Sequence, residues 1–129
     1  MPITPLFAAV FAIFYILLSI KVIRFRLSKQ ISLGDAGDTD LETAVRSHGN
    51  FIEYVPIALI LMWFLEVITY SSSLSMLLGL ILLVSRFAHV IGLNDTKNKL
   101  IFRQVGMLGT FFVILVAASY LIWYYIPNL

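Results

Sequence analysis

The sequence predicts an all-α integral membrane protein, a bundle of four transmembrane helices. Three observations predict it. Of the 129 residues, 60% are hydrophobic and only 12% are charged, far more apolar than soluble domains. The apolar residues fall in four runs, each long enough at about 1.5 Å per residue to cross a hydrocarbon core of ~30 Å. Polar residues collect in two stretches, 24–50 and 94–104. The whole chain, 1–129, reads as one domain, with helices expected at about 3–26, 40–70, 74–94 and 103–126. Cysteine is absent, which excludes disulfides, a cysteine nucleophile and thiolate metal sites. The two histidines, His48 and His89, form no spaced ligand set, so no metal ion is expected. Nucleic acid is not expected as a partner either.

The first helix rests on the apolar run from Ile3 to Ile23. No basic stretch precedes it and no small-residue cleavage site follows. Its charges, Lys21, Arg24, Arg26 and Lys29, come after the run, as in a retained first span whose C-terminal end faces the cytoplasm. Gly34, Asp35, Gly37 and Asp38 are turn formers and mark a connector. Thr39 with Glu42 fits a capping box, so the second helix is expected to start near Asp40. It runs to about Tyr70, with Pro56 inside it; that proline deprives the Ile52 carbonyl of its helical partner, and a kink is expected there. Glu66, near its far end, is expected at the interface.

After the turn at Ser71, Ser72 and Ser73, the third helix carries Arg86 and His89 towards its end. Lys97 and Lys99 follow in a basic loop, as solvated topology determinants. The fourth helix opens with Arg103 and Gln104 and closes on Trp123, Tyr124 and Tyr125, an aromatic belt. Gly106 and Gly109 in it are expected to permit close helix packing. All nine Lys and Arg residues lie in the first loop, the third loop or the adjoining helix ends. The positive-inside rule therefore places both basic loops in the cytoplasm and both termini outside it.

The chemistry gathers on the second helix. Arg46, Asn50 and Glu53 stand at i, i+4 and i+7, so a helix puts a cation, an amide and an anion on one face. Ionisable groups near hydrocarbon are costly and face protein or water. That stripe suits a small zwitterion. Arg24 or Arg26, Arg86 and Arg103 belong to the same cytoplasmic depth, as does His89. A tripeptide thiol such as glutathione offers two carboxylates for arginine forks, an ammonium for Glu53 and a thiol whose ionisation a cation favours. An anionic lipid headgroup also calls for arginines, but accounts less well for Glu53 and Asn50. A structural alternative is a Glu53–Arg86 pair holding two helices together. His48 lies about 200° around the helix from Arg46 and is expected to make a structural contact. His89, one turn from Arg86, is expected to orient it.

The segment RSHGNFIEYVP resembles the second-helix signature of the MAPEG family, membrane-associated proteins in eicosanoid and glutathione metabolism. Glu42, Arg46, His48, Asn50, Glu53 and Pro56 match it. SRFAHVIGL resembles the family's third-helix pattern through Arg86 and His89, and IRFR and FRQVGM resemble the end of helix one and the start of helix four. The resemblance implies a homotrimer of four-helix subunits, with glutathione bound between neighbours near the cytoplasmic face. It makes Arg24 (or Arg26), Arg46, Asn50, Glu53, Arg86 and His89 ligand contacts or supports. Arg103 matches the family's thiolate-stabilising arginine. Gly49, Leu93, Gln104 and Met107 stand where glutathione-using or eicosanoid-making members often carry Arg, Tyr or Ser, which points to a bacterial-type member in an inner membrane. The function so implied is a glutathione-dependent transferase or peroxidase. Glutathione would be its co-substrate, and apolar electrophiles or lipid hydroperoxides would reach it from the bilayer. The alternative is a non-enzymatic, lipid- or glutathione-binding scaffold trimer.

Overall fold

Four helices make up the fold: α1 (Thr4–Lys29), α2 (Thr39–Thr69), α3 (Ser72–Asn94) and α4 (Leu100–Tyr125), followed by a short 3-10 turn at Ile126–Asn128. They come from a computed structural model that describes residues 1–94 and 100–128. Lys97 and Lys99, the expected topology determinants, lie outside the described residues. All four helices are long and apolar enough to cross a membrane, and the protein is an all-α integral membrane protein.

Local chemistry sets the boundaries where they depart from expectation. α1 continues past Arg26 to Lys29 and ends where Gln30 turns left-handed, at φ 55°. The Arg26 guanidinium then donates to the carbonyls of Ile31, Ser32 and Gly34 at 3.4, 3.3 and 3.0 Å. α2 begins one residue before the expected start, because Asp38 rather than Thr39 is its N-cap: the Asp38 carboxylate accepts the Leu41 N–H at 2.8 Å. Lys29 pairs with the same carboxylate and reaches Asp40 at 3.4 Å. Those bonds, from Lys29 first and from Leu41 second, hold the Asp38 carboxyl below the ordinary carboxylate range. The pair is only half-buried, so it fixes the turn more than it stabilises the fold. α2 runs unbroken through Pro56.

Glu66, near the outer end of α2, has a partner that the sequence did not reveal. It is 4% exposed, and it accepts the backbone N–H groups of Ile3 and Thr4 at 2.7 and 2.9 Å. α1 has no side-chain cap from its own sequence. A carboxylate from α2 therefore satisfies its orphan donors and meets the positive end of its dipole.

Each helix turns one stripe inward. Phe7, Phe11, Phe14 and Leu18 of α1 meet Phe51, Val55, Ala58, Met62 and Leu65 of α2, Leu78 and Leu82 of α3, and Val113 and Ala117 of α4. Phe14 sits edge-on to Phe51 at 5.2 Å and stacks on Phe87 at 4.7 Å. The most extensive pairing is α3 with α4, followed by α1 with α2, and α1 shares no contact with α4 among the described residues. Gly106 is what brings α4 so close to α3: a Cβ there would lie 2.5 Å from the Ser85 carbonyl oxygen and 2.7 Å from the His89 nitrogen. Backbone stands against backbone, so any side chain would force the two helices apart. This contact brings the start of α4 beside the polar half of α2.

Candidate functional site

Burial of one α2 stripe decides what the opposite stripe presents. Leu41, Ala44, Ser47, Phe51 and Val55 point into the bundle, which turns Glu42, Arg46, Gly49, Asn50 and Glu53 the other way. These residues, with Thr43 and Val45, form the α2 wall of a cleft of about 810 Å³. His89 and Leu93 of α3 and Arg103 of α4 complete its lining. Arg46, Glu53 and Arg103 are exposed, and Asn50 is half-buried. Five of the residues expected to contact or support a ligand thus meet here: Arg46, Asn50, Glu53, His89 and Arg103.

Glu53 is about 21 Å along α2 from Thr39 and about 24 Å from Thr69 at 1.5 Å per residue, part-way along a helix long and apolar enough to cross a membrane. An exposed carboxylate on such a helix calls for water, a cationic ligand or a covering protein surface.

Arg86 stands behind this wall rather than in it. It is 1% exposed. One terminal nitrogen donates to Asn50 Oδ1 at 2.9 Å, and the other to the Gly106 carbonyl at 3.3 Å and Met107 Sδ at 3.6 Å. The Glu53–Arg86 pair is not formed; among the described residues no carboxylate lies within ion-pair distance of Arg86. His89 makes no hydrogen bond to Arg86 among the described residues; it is 3% exposed and packs beneath α4 at Gly106, while Arg86 donates to Asn50, Gly106 and Met107. Geometry explains both differences: Asn50 lies one turn before Glu53 on α2, level with the guanidinium, while the α4 backbone occupies the space above His89.

Arg24 and Arg26 lie outside this cleft. Arg26 is engaged with the α1–α2 turn. Arg24 is exposed on α1 in a separate groove with Leu17, Ile20, Lys21, Phe25 and Ser28. His48 makes the structural contact expected of it, stacking on Tyr15 at 4.8 Å. Among the described residues no three His, Asp or Glu side chains converge as a metal site would require. The cleft's alternation of carboxylate, guanidinium and amide suits an organic zwitterion.

The sequence profile of the MAPEG family matches residues 4–123, nearly the whole chain. The chain belongs to the MAPEG family. It is also 31% identical over 122 residues to the inner membrane protein YecN of Escherichia coli strain K12, covering 95% of this chain and 92% of that protein. The same identity and coverage hold for YecN of Escherichia coli O6:H1. Within this MAPEG chain, sequence reasoning passed over Thr43 and Val45 as cleft residues and named Gly49 and Leu93 only as departures from the family pattern. Gly49 follows Arg46 by three residues, so the helical period already carried that signal. Leu93, one turn beyond His89, carried the same signal. The Arg86–Gly106 contact had none, since it depends on how closely α4 approaches α3.

Proposed function

We propose that this MAPEG protein is a homotrimeric, glutathione-dependent transferase or peroxidase of the bacterial inner membrane. One observation carries the reading: Glu53, an exposed carboxylate on a membrane-spanning helix, opens onto a cleft shared with Arg46, Asn50 and Arg103. That set is complementary to a tripeptide thiol. Glu53 takes the ammonium, Arg46 and Asn50 take carboxylate oxygens, and Arg103 faces the sulfur. The cleft's open side and the exposure of Glu53 support a neighbouring subunit as its cover, and the number three rests on the family. Arg24, on the outer face of α1, then reaches a ligand only from a neighbour.

Catalysis in such a site is the positioning of a thiolate beside a membrane-dissolved partner. In transfer, the sulfur lone pair forms a bond to an electrophilic carbon, and the leaving group departs with the electrons of the broken bond. In reduction, the thiolate attacks the terminal oxygen of a lipid hydroperoxide. The O–O bond breaks, the alkoxide takes up the proton that the first thiol released and leaves as the alcohol, and a second glutathione thiol converts the sulfenic acid to the disulfide and water. Calorimetric titration of the detergent-purified protein should show saturable glutathione binding, and its absence would overturn the proposal.

Gly49 and Leu93 favour a second function. They leave two parts of the cleft wall without a hydrogen-bonding side chain, which fits a scaffold that binds glutathione or lipid without chemistry. Thiolate formation separates the two and is taken up in the Discussion.

The cleft lies at the end of the bundle that carries the basic residues, so the reading places it at the cytoplasmic face and both termini outside the cytoplasm. A periplasm-dependent phosphatase fused after Leu129 should be active, and a fluorescent reporter that matures only in the cytoplasm should stay dark there. The reverse pattern would move the cleft to the other side and remove its access to cytoplasmic glutathione.

A further inference from the structure

We infer that Arg86 is a positioning residue that locks the Asn50 amide with its NH2 group towards the cleft, so that Asn50 meets the ligand only as a donor. The inference rests on the glutathione reading for the identity of the ligand, but not for the lock itself. A guanidinium has donors and no acceptor. The 2.9 Å bond from Arg86 to Asn50 therefore engages the amide oxygen and leaves Nδ2 for the other side, where Asn50 lines the cleft. Arg86 does not line that cleft; it is 1% exposed, and its Nε–H is buried without a partner. Its terminal nitrogens are spent on Asn50, the Gly106 carbonyl and Met107. A buried cation with no carboxylate partner among the described residues places positive potential directly behind Asn50. Both features select the same ligand group: a carboxylate or carbonyl oxygen of the peptide, set against Asn50 Nδ2. They exclude its ammonium from that point and leave the ammonium to Glu53, one turn further on.

The lock makes a demand that a direct clamp does not. A bidentate arginine clamp on a ligand carboxylate is not replaced by lysine, whereas a single N–H to the Asn50 oxygen can come from a lysine ammonium. Arg86→Lys should therefore keep glutathione affinity within about threefold of the parent. Arg86→Met frees the Asn50 amide to rotate and should weaken binding by about tenfold or more. Asn50→Asp keeps an acceptor for Arg86 and supplies the missing anion, so its melting temperature should be no lower than the parent's. It places a carboxylate where the ligand needs a donor, so glutathione binding should fall by about tenfold or more.

Calorimetric titration with reduced glutathione and thermal unfolding in detergent read both effects. Affinity lost equally in Arg86→Lys and Arg86→Met would make Arg86 a direct clamp and overturn the inference. So would Asn50→Asp binding as tightly as the parent. If Arg86→Met does not fold, the Arg86→Lys and Asn50→Asp pair carries the test. If the parent itself binds no glutathione, the proposed function falls and the melting temperatures alone decide. Asn50→Asp at or above the parent then supports the lock, and Asn50→Asp below it overturns the lock.

Discussion

Replacing Arg103 by alanine should leave glutathione bound but erase its thiolate. A free thiol has a pKa of about 8.5, so only a few per cent is ionised at neutral pH. This chain has no cysteine, so thiolate absorbance in the complex can come only from the ligand. Arg103 lines the cleft from α4, three residues after Leu100, where the described part of that helix starts. A guanidinium beside the sulfur can lower the thiol pKa by about one to two, each step worth about 1.4 kcal/mol. The parent complex should show thiolate absorbance near neutral pH. Arg103→Ala should lose it, with turnover of an apolar electrophile falling by about tenfold to a hundredfold in step. Arg103→Lys should retain part of the effect, because a point charge survives without the planar fork. Glutathione bound to the parent without ionising would leave the scaffold as the better function. Undiminished thiolate in Arg103→Ala would move the stabilising role to another cation. That cation would be Arg46, which lines the cleft, rather than the buried Arg86.

Glu53→Gln should weaken glutathione binding by a factor of about 30 or more. The substitution keeps the side chain's shape and removes the charge that meets the ammonium. Truncating one partner of a desolvated, charge-assisted pair costs about 2–5 kcal/mol, and about 2 kcal/mol corresponds to that factor. Glu53 makes no ion pair within the chain among the described residues, so its loss should leave the fold unchanged. That combination separates a ligand contact from a structural one. Calorimetry showing parental affinity in Glu53→Gln would assign the ammonium elsewhere, with Glu42 the other carboxylate in the cleft.

Much of this was already legible in the residues. Long apolar runs must become helices in a bilayer, because a backbone without water has to satisfy its own hydrogen bonds. Four such runs therefore determined four spans. The 3.6-residue period determined that Arg46, Asn50 and Glu53 share a face, since that geometry belongs to one helix and needs no neighbour. What lay between helices was not legible. Whether Glu53 or Asn50 would meet Arg86 depended on the axial offset of α2 against α3, a matter of one turn that no periodicity encodes. The buried cap that Glu66 provides for α1 joins residues more than 60 positions apart; sequence shows a carboxylate near a helix end, but not which helix lies beside it.

Sequence by itself thus determined the class, the family and the polar stripe, because each follows from local composition or from matching residues along one chain. Only the tertiary structure decided the division of labour among the arginines. Gly106 lets α4 approach α3 closely enough to bury Arg86 behind Asn50. The turn after α1 captures Arg26 with three carbonyls. Arg46 and Arg103 remain in the cleft. A guanidinium carries the same charge in all of these places, and only the packing around it selects whether it supports a wall, closes a turn or faces a ligand.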